Sequence, residues 1–254
     1  KTGFNEAFII NQDTRDHFIE QNNNCSDIIK PLLGGRDVRR YIVEFNNKYL
    51  IWTYWGVPIE KYPEIFEYLK KFEHQLKKRG DKGNYWWELR ACDYYAKYEQ
   101  PKIIYPDIAM KCRFTLDCDG YFGSNTTYIL PIADLLLLGI LNSRLGQFYF
   151  SSVCAGLEGG GTTYLRFFGQ YIEKFPVIRI NPSNQADSRL HGSIIVLVEQ
   201  MLDLHKRKAR LQNAAEQEQV QRIIDSTDKQ IDALVYELYG LTQKEIEIVE
   251  AASK

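Results

Sequence analysis

The last quarter of the chain limits its fold most severely. Residues 193–239 read as two long, charged helices with almost no Gly or Pro. Ile194, Leu197, Val198, Met201, Leu204 and Leu211 recur at helical spacing and form one apolar stripe. Val220, Ile223, Ile224, Thr227, Ile231, Leu234, Val235 and Leu238 form another. Two amphipathic helices joined by a short polar turn most simply make an antiparallel pair. The pair follows an aromatic, strand-rich body in which no catalytic motif is found. That order suggests a recognition body followed by a helical spacer, a module that positions something else.

A chain of 254 residues can build one large domain or two small ones. Its longest apolar run, Leu135 to Leu141, is far short of a membrane span. The chain opens on Lys1-Thr2-Gly3, with neither an initiator Met nor a signal pattern, and is expected to be an excised piece of something larger. Cys25, Cys92, Cys112, Cys118 and Cys154 are odd in number and irregular in spacing. With no C-x-x-C and no nearby His, they read as free thiols of a reducing cytoplasm, and no metal site is expected. Residues 1–180 hold 23 Lys and Arg against 21 Asp and Glu, and residues 181–254 hold 9 against 12. A nucleic-acid face would therefore be a local patch.

Along the chain, Asn5 to Ile10 reads as an opening strand, and Asp13 and Thr14 as caps of a helix through Glu20. Tyr41 to Phe45 and Lys48 to Tyr54 read as a hairpin about Asn46-Asn47. A helix is expected from Pro63 to Arg79, a strand over Lys102 to Tyr105, and a second hairpin from Arg113 to Leu130 about Asp119-Gly120. Ala133 to Val153 reads as the buried central helix, Gly156 to Gly161 as a glycine-rich loop, and Tyr164 to Ile180 as extended. Asn181-Pro182-Ser183-Asn184-Gln185 is a linker by composition. The expected class is α+β: a strand-rich domain over 1–180 with a central buried helix, then an antiparallel helical hairpin over 187–254.

The chemistry that is missing narrows the function. Gly159-Gly160-Gly161-Thr162-Thr163 has no Lys and lacks phosphate-loop spacing. Pro106-Asp107 supplies half of a common metal-nuclease motif, but no Lys in the chain has an acidic residue two positions before it. Asn181-Pro182-Ser183-Asn184 fails the turn with which amino-methyltransferases grip their amine. The four His form no triad pattern, although spatial convergence stays open. No catalytic residue is assigned.

The chain resembles the TaqI-like C-terminal specificity domain of restriction–modification enzymes and adenine-specific DNA methyltransferases. The resemblance rests on Lys1-Thr2-Gly3-Phe4-Asn5-Glu6-Ala7-Phe8, Ile29-Lys30-Pro31-Leu32-Leu33-Gly34-Gly35-Arg36-Asp37, Tyr85-Trp86-Trp87-Glu88-Leu89-Arg90, Lys102-Ile103-Ile104-Tyr105-Pro106-Asp107-Ile108 and Asn125-Thr126-Thr127-Tyr128. It continues through Leu138-Gly139-Ile140-Leu141-Asn142-Ser143 and Ile231 to Thr242. It implies sequence-specific recognition of double-stranded DNA. In the parent enzyme it implies methyl transfer from S-adenosylmethionine by an N-terminal methyltransferase domain, often beside a nuclease. This chain itself is expected to hold no cofactor and to meet no membrane.

Such a module needs basic side chains for phosphates and polar ones for base edges. Arg36, Arg39 and Arg40 beside Gly34-Gly35 make a local positive patch, or else a solvated hairpin edge. Asn125, Thr126 and Thr127 could meet adenine and thymine, or serve as ordinary strand residues. Arg90 is a phosphate candidate, and Tyr164 and Arg166 follow the glycine loop. Trp86-Trp87 reads as core more readily than as a base stack. The competing readings are half of a type I specificity subunit and a protein-interaction scaffold without DNA binding.

Overall fold

The computed structural model describes residues 4–159 and 161–252. Lys1-Thr2-Gly3, the start of the first resemblance motif, and Gly160 of the glycine run lie outside the described residues. In chain order the first elements are β1 (Ile9–Asn11), α1 (Gln12–Gln21), β2 (Ile29–Leu33), β3 (Val38–Arg39), β4 (Ile42–Val43) and β5 (Lys48–Ile51). Then come α2 (Pro63–Lys70), α3 (Glu73–Lys77), β6 (Lys102–Pro106), β7 (Ile108–Ala109), β8 (Thr115–Asp117), β9 (Phe122–Gly123) and β10 (Thr127–Leu130). The remainder is α4 (Leu135–Asn142), α5 (Arg144–Val153), β11 (Ala155–Gly159), β12 (Thr162–Arg166), α6 (Gly169–Ile172), α7 (Gln185–Arg210), α8 (Ala214–Tyr239) and α9 (Gln243–Ala252). The α+β class and the C-terminal helical hairpin are as expected.

The contacts gather into two units. One comprises the chain up to Leu33 with Phe45–Gln100 and Cys118–Ser124; the other comprises Gly34–Glu44, Pro101–Asp117 and everything from Asn125 on. The boundary thus differs from the division at 180 and 187: α7 and α8 share a core with the sheets that precede them.

In the first unit the strand order is β1-β5-β2-β9, antiparallel except for the parallel pair β2–β9. Phe8, Ile10, Phe18, Ile29, Ile51, Ile65 and Leu69 fill its core. Asn11, not Asp13, caps α1 by accepting from the Thr14 amide at 2.9 Å. The expected helix from Pro63 is interrupted at Lys71-Phe72 and resumes as α3. Trp86 and Trp87 pack against this core, so the tryptophan pair is structural. Buried Arg79 holds their segment by donating to the carbonyls of Trp86 and Glu88 at 2.9 and 2.7 Å.

Asn46-Asn47 does not close a hairpin. β5 pairs with β1 and β2, while β4 turns back on β3 through Arg40-Tyr41. Asn47 does take a positive φ of 52°, but so does Tyr41, at 63°. A bulky side chain in that region stores strain. Tyr41 is held there by burial and by its amide, which donates to the Phe114 carbonyl at 3.1 Å. The second expected hairpin is replaced by a three-stranded sheet in the order β10-β6-β8. Both outer strands pair with β6, all five of whose residues are buried, so the hydrophobic centre outcompetes the local Asp119-Gly120 turn. Lys102 and Asp117 are fully buried and pair with each other across β6 and β8. Gly156 to Gly159 belong to a strand and not to the expected loop: β11 and β12 form a hairpin whose inner strand, β12, pairs with β7.

The central helix of the second unit breaks at Ser143. There the side chain leaves the helical path to cap α5, accepting from the Gly146 amide at 3.1 Å and donating to the Ile140 carbonyl at 2.7 Å. α4 is buried almost throughout and crosses α7 at Gly139. α7 and α8 run antiparallel, with Arg189 donating to Glu237 at one end and Lys208 to Gln221 at the other.

A Cβ on Gly139 would lie 2.8 Å from a Val198 methyl and 3.2 Å from one of Ile194. Gly139→Val is expected to destabilise the chain by roughly 1–3 kcal/mol through overpacking. Urea unfolding measures this, and an unchanged midpoint would show that α4 and α7 do not meet so closely.

Candidate functional site

The candidate residues divide into an exposed corner, a locked core contact and isolated positions. The corner is built on Gly35. Residues Gly34 to Asp37 form a tight turn in which the Asp37 amide donates to the Gly34 carbonyl at 3.0 Å, and the Asp37 carboxylate accepts from the Gly34 amide at 2.7 Å. The Gly35 amide donates to the Thr126 hydroxyl at 2.8 Å, and a Cβ at Gly35 would sit 2.6 Å from the Thr126 carbonyl oxygen. The glycine is therefore needed for backbone contact inside the protein. The Thr126 carbonyl in turn accepts from the Asp107 amide at 2.9 Å, and the Asp107 carboxylate from Arg166 at 3.0 Å.

This chain of bonds gathers Arg36, Asn125, Thr126 and Arg166 around one turn. Arg36, Asn125 and Thr126 are exposed. Arg166 lies half-buried with its guanidinium 4.2 Å from the Phe168 ring centre. Thr127 is buried in β10 opposite Pro106 and is withdrawn from the surface. Tyr164 is half-buried on β12, facing Leu157 of β11. Arg90 belongs to the other unit, where it is exposed 3.5 Å from Asp81.

Arg40 has a different role from its neighbours. Its guanidinium forms a two-pronged pair with Asp228 of α8, one contact at 2.6 Å, and donates to the Asn142 carbonyl at 2.7 Å. Asn142 spans the same junction, its side chain donating to the Phe114 carbonyl at 2.8 Å and accepting from the Phe114 amide at 3.1 Å. Arg39 pairs with Glu44 at 2.8 Å on the hairpin surface, an exposed contact of small energetic weight. The three arginines therefore do not form one patch.

The fold also assembles a second basic surface in this unit. Arg39, Lys111, Arg113 and Lys208 line an open cleft of about 600 Å³, with Arg40 and His205 also on its wall. Lys111 and Arg113 come from the segment between β7 and β8, and Lys208 from the last turn of α7. The run Lys206-Arg207-Lys208-Ala209-Arg210 carries one part of it; as sequence it admits some phosphate contact but reads more readily as a solvated face. Burial, then nearby Arg40, holds the His205 imidazole down to about 4, so it is neutral at pH 7. Burial also pushes the Asp232 carboxyl up to about 6 beside the Arg144 amide that donates to it.

The arrangement presents basic and polar side chains at the corner and in the cleft. Among the described residues no group of His, Cys, Asp and Glu could hold a metal ion. Asp107, half of the nuclease-like pair, is engaged by Arg166. Gly156 and Gly159 lie in β11 of a strand hairpin, not at a strand-to-helix turn of the kind that receives a nucleotide cofactor. Among the described residues no helix is long and apolar enough to cross a membrane.

Comparison with known proteins places this geometry. The chain is 29% identical over 185 residues to the type II methyltransferase M.MjaIV of Methanocaldococcus jannaschii, covering 64% of this chain and 58% of that protein. It thus spans little more than half the length of that relative. Its fold is similar to the type IIL restriction–modification enzyme MmeI, whose structure was solved in complex with DNA: the TM-score is 0.64 at 13% identity, over 95% of this chain and 32% of that one. Residues 30–177 match the TaqI-like C-terminal specificity domain, which is more than half of the chain, and the chain belongs to that family.

Proposed function

We propose that this chain is the target-recognition module of a type II restriction–modification enzyme or adenine-N6 DNA methyltransferase, acting in the cytoplasm. It holds duplex DNA for a methyltransferase or nuclease domain outside the chain, which would use S-adenosylmethionine for methyl transfer. The observation that carries this reading is membership of the specificity-domain family over residues 30–177. The exposed corner of Arg36, Asn125, Thr126 and Arg166 supports it. An enzyme that methylates a base must take that base out of the stack, so a separate body has to grip the duplex. A fixed corner carrying an arginine and an amide has the side chains for it: Arg suits guanine and Asn suits adenine in the major groove.

The direct test exposes the chain to a randomised duplex pool and sequences what it retains. A short enriched motif, with affinity falling steeply as salt rises, is expected. No retention even at low salt would contradict the reading.

The two arginine roles should also separate. Arg36→Ala and Asn125→Ala are each expected to weaken binding to the enriched motif by about 1–3 kcal/mol with unchanged melting. Arg40→Ala is expected to cost roughly 1–3 kcal/mol of folding stability, because it strands Asp228 without its partner. Denaturation paired with DNA titration checks both, and a stable Arg40→Ala protein that has lost DNA binding would reverse the assignment.

A further inference from the structure

We infer that the cleft bearing Lys111, Arg113 and Lys208 holds the phosphodiester backbone of duplex DNA, gripping it without reading sequence; this rests on the recognition reading above. The charge balance of the cleft points there. Its single acidic wall residue, Glu44, is occupied by Arg39 at 2.8 Å. Arg40 is neutralised by Asp228, and His205 is uncharged at pH 7. The positive excess therefore comes from Lys111 and Arg113, which make no ion pair among the described residues, and from Lys208, whose partner is the neutral Gln221 at 2.5 Å.

This excess stands in a protein of net charge −1, so it is local and not a by-product of a basic chain. The ligand class follows from the lining. No Phe, Tyr or Trp among the described residues lines the cleft to stack a base, and Gln217 is the one amide on its wall. The charged part of the wall is a set of flexible cations beside Ile42, Met110 and Ala209, which suits phosphates spaced along a backbone. The cations come from two separate chain segments, the β7–β8 connection and the end of α7, so a strand lying in the cleft would contact both. The corner at Arg36 and Asn125 would read bases, and the cleft would set position.

The test titrates the whole chain, and a Lys111→Gln/Arg113→Gln variant, with a duplex carrying the enriched motif and with a scrambled duplex, over a salt series. The expected result is an equal fractional loss of affinity for both duplexes. The plot of log affinity against log salt should become shallower by about one for each cation removed. Lys111→Arg/Arg113→Lys, which keeps the charges, should restore the parent slope and guards against a folding artefact. If the parent chain binds DNA and the Gln variant matches it in affinity and slope, the cleft assignment is overturned while the recognition reading stands. The cleft would then suit an acidic protein segment. Loss confined to the motif duplex would overturn it too, by making these residues readers. No DNA binding by the parent chain would overturn both.

Discussion

The second unit depends on the guanidinium of Arg40. It bridges the β3–β4 hairpin to α8 through Asp228 and to the end of α4 through the Asn142 carbonyl. Asn142 then fixes the segment entering β8 by bonding both backbone groups of Phe114, whose carbonyl also receives the Tyr41 amide. Four chain segments far apart in sequence thus converge on a few buried polar groups, each satisfying another. Burying such groups is favourable only when the network is complete. The strained Tyr41 backbone is held in place by burial of its ring and by its amide's bond to the Phe114 carbonyl. The tight turn at Gly34–Asp37 is carried on the strand just before this junction, so the exposed corner has a rigid base.

On the proposed reading, the unit separates two tasks. The corner at Gly35 and Thr126 is precise: a backbone contact that excludes even a methyl group sets the turn that carries Arg36. The cleft is loose, with long cations on an open wall. Precision suits discrimination among bases, whereas phosphates ask mainly for charge. Arg36, Arg39 and Arg40 show how little sequence adjacency says about role. One is exposed, one is spent on Glu44, and one is a structural bolt.

The helical pair, β6 and the buried character of α4 were legible because apolar periodicity is local and these elements follow it. The breaks were not. Ser143 interrupts the central helix by capping α5, and nothing in an apolar run announces that the backbone will turn extended there. Asn46-Asn47 has hairpin chemistry, yet the chain on either side goes to different units, a decision made by long-range pairing. Of the site candidates, Arg36 and Asn125 are exposed, whereas Thr127 is buried and Arg40 is bound to Asp228, a residue 188 positions away. The cleft escaped notice because Lys111, Arg113 and Lys208 come together only in the fold.

Hydrogen–deuterium exchange of the chain with and without a bound duplex bears most directly on the claim that this unit meets DNA through the corner and the cleft. Recognition through them gives slowed exchange at residues 34–37, 107–113, 124–127 and 205–210, with the apolar interior of α7 and α8 unchanged. Protection confined to the outer faces of α8 and α9, with those four segments unaffected, would contradict it.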